Sequence, residues 1–159
     1  MHTHRIGPDE PELIRELLAI HDRIPLAWDP NHRTAPTFLD DLLERLRADA
    51  ARTGLWALFD GPASVPEHMV GILWATLRTD PSGIRSCAIN TLWIRPELRG
   101  NALAAQLTEP CLAWAREQGA ARLDCTTHIG NARMREILDK HGFRPTMIQY
   151  TLPLEPSPT

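Results

Sequence analysis

Ile94-Arg95-Pro96-Glu97-Leu98-Arg99-Gly100-Asn101-Ala102-Leu103-Ala104 joins an apolar, strand-like run directly to a helical period through a turn of small residues. Upstream, residues 88–94 are short and apolar; downstream, Leu103, Leu107, Cys111 and Trp114 recur at helical spacing within 102–118. The first N–H groups of such a helix have no acceptor inside it, and they lie at the positive end of its dipole. Where side chains are small enough for close approach, as at Gly100, Ala102 and Ala104, those N–H groups form an anion site that needs no charged side chain. A pyrophosphate fits there. An ordinary strand-to-helix turn has the same composition, so on this stretch alone both readings stand.

Working outward, the sequence predicts helices at 9–21 and 37–51, the first with Leu13, Ile14, Leu17, Leu18 and His21 at helical spacing. The proline-rich segment 24–36 between them reads as an ordered loop. Strands follow at 55–59, 70–77 and 88–94, with Asp80-Pro81-Ser82-Gly83 turning between the last two. After the helix at 102–118 come a strand at 122–127, a helix at 131–141 and a strand at 146–152. Pro110 lacks an N–H for the Gln106 carbonyl, which predicts a kink in the third helix. The fold class is α+β, with a mixed central sheet that starts as an antiparallel meander and continues through a parallel crossover. No internal repeat or linker divides the chain, so one domain is expected over residues 1–154, with 155–159 a loose tail.

The 159 residues, 43% of them hydrophobic, suffice for one core. A formal charge of −3 provides no broad positive field, which argues against nucleic acid as a partner and for small molecules or peptides. Cys87, Cys111 and Cys125 are an odd number without C-x-x-C spacing, a pattern of neither a disulfide framework nor a zinc site, so no metal is expected. Residues 1–20 do not resemble a signal peptide, and no run approaches the roughly 18 apolar residues of a membrane span. The expectation is a cytoplasmic protein with no membrane partner. The sequence allows a homodimer and carries no signal for or against one.

The turn at 94–104 resembles the coenzyme A signature of the GNAT acyltransferases, R/Q-x-x-G-x-G/A after a strand and a proline. Arg99 and Ala104 match its ends, while Ala102 replaces the middle glycine. The stretch Asn131 to Phe143 is similar to the family's second motif, N-x-x-A-x-x-x-Y-x-x-x-G-F, through Asn131, Gly142 and Phe143; Met134 and Leu138 depart from it. The order of elements also agrees from the first helix to the last strand. The resemblance implies a sheet with helices on both faces, splayed between its central strands, here 88–94 and 122–127.

What the resemblance implies for function is transfer of an acetyl or other short acyl group from acetyl-CoA to a primary amine. Pantetheine would pair with the edge of Leu92, Trp93 and Ile94, and a backbone N–H near Trp93 or Ile94 would polarise the thioester carbonyl. The phosphates would lie on Arg99, Gly100, Asn101, Ala102, Leu103 and Ala104, with Asn131 reaching the cofactor from the opposite strand. Asn131 is equally a helix N-cap, and the two roles are compatible. The acceptor, a small-molecule or peptide amine, would approach Trp28 and Asp29 in the loop between the first two helices, with Asp22 nearby in sequence.

Proton transfer is less well provided for. Leu138 stands where relatives carry a tyrosine that protonates the leaving thiolate, and Asn90 stands where some carry a carboxylate base; neither side chain can do that work, although Asn90 can hold a water. His128, at the end of the strand 122–127, is the titratable group expected near the gap and the candidate base. Asp124 shares that strand, where an aspartate also pairs readily with a neighbouring arginine. The alternative is a module that binds or senses acyl-CoA without catalysis.

Overall fold

The computed structural model describes residues 1–27, 35, 37–63, 65–100 and 102–152, apart from the side chain of Leu39. The chain divides into two compact units, Met1–Thr126 and Thr127–Thr159. The first contains β1 (His2–Arg5), α1 (Pro11–Arg23), α2 (Phe38–Ala48), β2 (Thr53–Phe59), β3 (Met69–Thr79), β4 (Arg85–Ile94), α3 (Leu103–Glu117) and β5 (Arg122–Cys125). The second contains α4 (Ala132–Lys140).

One sheet runs in the order β1-β2-β3-β4-β5. The first three pairings are antiparallel and β4–β5 is parallel, the mixed α+β topology that the sequence predicts. Alternation along β2 sorts the core. Leu55, Ala57 and Phe59 pack with Leu13, Ile14, Leu17 and Leu18 of α1 and with Leu42, Leu43 and Leu46 of α2. Trp56 and Leu58 pack on the other face with Leu103, Leu107, Cys111 and Trp114 of α3. Each fully buried leucine of this kind contributes about 1.5–3 kcal/mol over an exposed one, so the two apolar stripes hold helices on both faces. Gly71 sets how closely α3 can approach: a Cβ there would stand 2.6 Å from Ile94 Cδ1 and 3.2 Å from Leu107 Cδ1.

Two elements differ from the sequence reading. β1 is an edge strand whose polar residues carry no apolar alternation; it is held by pairing with β2 and by the rings of His2 and His4 against Phe59. Residues 146–152 form no strand: they are unpaired with any described strand, and Met147, Ile148, Tyr150 and Leu152 are exposed. An alternating segment becomes a strand only where another strand accepts its N–H and C=O groups. α3 continues through Pro110, and the Gln106 carbonyl deprived of its helical donor accepts instead from the Thr3 hydroxyl of β1 at 3.0 Å. Among the described residues no helix is long and apolar enough to cross a membrane.

Candidate active site

The two central strands part early. β4 pairs with β5 from Ser86–Arg122 to Ile89–Cys125 and then runs on to Ile94 with no strand beside it on that edge among the described residues. The parting coincides with an irregularity in the other ladder. Trp74 faces Thr91 and Ala75 faces Ile89, which leaves Asn90 as one extra residue in β4. A bulge of this kind bends the strand and turns its side chain out of register. Asn90 is pinned there, since its Nδ2 donates to Thr76 Oγ1 at 2.8 Å and its Oδ1 accepts from Arg78 Nη2 at 3.3 Å.

A cavity of about 360 Å³ opens at this place, and its walls include His21, Phe38, Trp74, Arg78, Asn90 and Asp124. Asp124 faces Arg122 of its own strand at 3.3 Å, the local pairing that a strand aspartate favours. His21 closes the end of α1; its Nδ1 is hydrogen-bonded to the buried Thr91 Oγ1, and its ring meets Trp74 edge-on at 5.1 Å. The Trp74 indole N–H is buried without a hydrogen-bond partner among the described residues. An orphaned donor in a cavity wall marks a place where a bound acceptor atom or water completes the site. Cys125 ends β5, and burial pushes its thiol up, away from the thiolate form.

From Ile94 the chain turns through a short 3-10 segment, Pro96–Leu98, into α3. Gly100 has φ 93° and Ala102 φ 55°, so two residues of the turn are left-handed. For Ala102 that conformation costs on the order of 1 kcal/mol that a glycine would not lose. Arg99, exposed, turns back so that its Nε donates to the Ile94 carbonyl at 2.9 Å, which ties the turn to the end of β4. The start of α3 is open: Ala102 makes no side-chain cap and the first turn has no acidic residue. The other helices are not. α1 has Glu12 and α2 has Asp40 and Asp41 in the first turn, and α4 is capped by Asn131. Ala102 and Ala104 are exposed, whereas Leu103 is buried against the core with Ile94. Leu92 and Trp93 are half-buried on opposite faces of the sheet. Trp93 also walls a second cavity of about 340 Å³ with Glu16, Arg23 and Arg95.

The remaining expected residues belong to the second unit or lie outside the described residues. In the second unit Asn131 Oδ1 accepts from Met134 N–H at 3.2 Å, the helix cap foreseen as one of its two roles. His128 is exposed, and its Nδ1 accepts from Gly130 N–H at 3.0 Å. Trp28, Asp29 and Asn101 lie outside the described residues. Sequence reasoning missed His21, Trp74 and Arg78 as parts of a site. His21 had a legible signal, a titratable side chain on an otherwise apolar helical stripe.

A family model described as Acetyltransferase (GNAT) family matches residues 17–143. No curated protein matches the chain by sequence. Among solved structures, the tetramutant BH1408 protein of Bacillus halodurans is similar with a TM-score of 0.73 at 14% identity, over 97% of this chain and 100% of its own. An aminoglycoside acetyltransferase from an uncultured soil metagenomic sample gives 0.68 at 20% identity, over 96% of this chain and 97% of its own. The ribosomal-protein-alanine N-acetyltransferase of Brucella melitensis biovar Abortus gives 0.63 at 15%, over 97% and 100%. At such identities the likeness speaks for the fold, and the family rests on the sequence match. That match begins within α1 and takes in α2, the parting strands, the open turn, α3 and the capped helix, and the chain therefore belongs to the acetyltransferase (GNAT) family.

Proposed function

We propose that the chain transfers an acetyl or other short acyl group from coenzyme A to a primary amine of a small molecule or peptide, by direct attack with both substrates bound. The observation that carries this reading is the open start of α3, where a helix N-terminus with no side-chain cap from Ala102, small side chains and no first-turn acid suit a pyrophosphate. Leu92, Trp93 and Ile94 would offer the pantetheine amides an edge, since β4 has lost β5 by that point. A backbone N–H at Trp93 or Ile94 would hold the developing oxyanion. Coenzyme A supplies an activated thioester and a thiol that leaves well.

Direct attack is supported by the raised Cys125 thiol, which is a poor nucleophile in its protonated form. Leu138 gives no proton to sulfur, and a thiol whose ordinary pKa is about 8.5 leaves without one. His128 enters this reading as one proton acceptor. With Gly130 N–H on its Nδ1, the neutral ring carries its proton on Nε2, so it would work as a base only by releasing that turn. Asn131 would meet the cofactor, and Trp28 and Asp29 the acceptor, by family resemblance. The free cysteines suit the reducing cytoplasm. A non-catalytic acyl-CoA sensor is the second reading, favoured by Leu138 and by an Asn90 amide already engaged with Thr76 and Arg78.

Calorimetry with acetyl-CoA and a thiol-release assay over a panel of amines test both. Gly100→Pro cannot keep φ 93° and should abolish acetyl-CoA binding, while Arg99→Ala weakens it only modestly. Unchanged affinity in a folded Gly100→Pro protein removes the turn from the site. Binding without thiol release from any amine leaves the sensor.

A further inference from the structure

The cavity at the β4 bulge has an imidazole of its own in its wall, that of His21. We infer that His21 is the general base of the acyl transfer, with Thr91 its positioning residue; the inference rests on the acyltransferase reading above. Three observations converge on it. His21 continues the helical spacing of Leu13, Ile14, Leu17 and Leu18 and puts a titratable imidazole in the last turn of an otherwise apolar stripe. Its ring is fixed from two sides, by the buried Thr91 hydroxyl and by the edge of Trp74. It walls the same cavity as Asn90, at the point where β4 loses its neighbour.

When Nδ1–H donates to Thr91 Oγ1, Nε2 keeps its lone pair and is the basic atom. The acceptor arrives as an ammonium ion. Nε2 takes one proton from it, and the free amine attacks the thioester carbonyl carbon. The C–N bond forms as the carbonyl electron pair moves to oxygen; that pair returns as the C–S bond breaks and sulfur leaves with its bonding electrons. The second nitrogen proton passes to the thiolate, giving amide and thiol, and the imidazolium returns its proton to water. The charged groups on the described walls of the cavity are Arg78 from β3 and Asp124 from β5; α2 contributes Phe38, and β4 contributes Ala88, Ile89 and Asn90. On its own helix Asp22 and Arg23 follow His21 in sequence. The carboxylates favour the imidazolium and the guanidinium groups oppose it.

The test is the pH dependence of kcat/KM for the amine in wild type, His21→Gln, His21→Ala and Thr91→Val, with acetyl-CoA affinity as control. In wild type the rate should rise through a limb near neutrality to a plateau. In His21→Gln the plateau should vanish and the rate climb toward the pKa of the amine itself, about 10 for an alkylamine, with a loss of roughly 10²-fold to 10⁴-fold at neutral pH. Added imidazole should restore part of the His21→Ala rate, which a purely structural role would not allow. Thr91→Val should move the limb without removing it, and acetyl-CoA affinity should stay within about twofold throughout. An active wild type whose limb persists in His21→Gln overturns this inference alone; a limb removed by His128→Ala instead transfers the role to that residue. A wild type that binds acetyl-CoA yet releases no thiol overturns the acyltransferase reading and this inference together. If both His21 variants fail to fold, side-chain NMR of the wild type decides: an imidazole at position 21 that does not titrate between pH 5 and 9 overturns it.

Discussion

α3 and α4 begin in opposite ways. α4 starts at Asn131, whose side-chain oxygen takes the Met134 N–H and so fills the helix start from within the chain. α3 starts at Ala102, which has no side-chain oxygen to offer, stands two residues after the left-handed Gly100 and precedes a first turn without acid. A helix start left unfilled forgoes about 1 kcal/mol of capping, and Ala102 adds the strain of its own left-handed backbone. Two departures from good helix design at one position have a use when an outside anion completes the site. The contrast teaches where to look for a ligand: at the helix start that has neither a side-chain cap nor a first-turn acid.

The sharpest way to break that contrast is to cap α3. Ala102→Asp places a carboxylate where an N-cap belongs, in a residue type that tolerates the left-handed region better than alanine. Stability should rise by about 0.5–1 kcal/mol, and the carboxylate should then compete with and repel a phosphate. Acetyl-CoA affinity should fall by at least about 10²-fold, since a like charge at this distance costs several kcal/mol. Thermal unfolding and calorimetry on one sample read both numbers. A more stable protein with undiminished affinity would place the phosphates elsewhere.

The same contrast explains what was legible in the sequence. β2, β3 and β4 could be read because apolar runs ended at Asp60-Gly61 and Asp80-Pro81-Ser82-Gly83, and the open turn because small residues stood between two periods. The Asn131 cap was legible because capping is local chemistry, one side chain reaching an N–H three residues ahead. β1 was not, because His2-Thr3-His4-Arg5 has no apolar alternation and is a strand only through its register with β2. The bulge at Asn90 was equally hidden, since an extra residue is defined by the partner strand and not by its own neighbours. His21 lay on a helix read correctly, yet Thr91 is 70 residues away in sequence, and no period links them. Residues 146–152 show the converse failure: alternation was present, and among the described residues a partner strand was not.

A smaller effect sharpens the α4 side. Asn131→Ala should cost about 1 kcal/mol, seen as lost hydrogen-exchange protection across the first turn of α4, and Asn131→Asp should retain it. The two proposed roles separate in the second variant, because aspartate keeps the capping oxygen and loses the amide donor. Weaker acetyl-CoA binding in Asn131→Asp would give the residue a place at the cofactor. Undiminished binding would confine it to the cap.

The smallest effect comes from the turn between β3 and β4, a third version of the same chemistry. There Asp80 Oδ1 accepts from Ser82 Oγ at 2.6 Å, from Ser82 N–H at 2.9 Å and from Ile84 N–H at 3.0 Å, so the chain supplies both the amide donors and the anion. The Ser82 hydroxyl first, and the Ile84 N–H next, hold the Asp80 carboxyl below its ordinary range. A carboxyl whose pKa is lower in the folded state binds protons more readily when unfolded, so its stabilisation is complete above the unfolded value, about 3.9, and fades as the pH falls through the folded one. Asp80→Ala should therefore lower Tm slightly at pH 7, and the gap from wild type should close below about pH 4. Because the turn lies in solvent, the gap should be smaller than that of Asn131→Ala and should leave acetyl-CoA affinity untouched. A gap that persists unchanged into acid would mean that the Asp80 side chain acts through the shape of the turn and not through its charge.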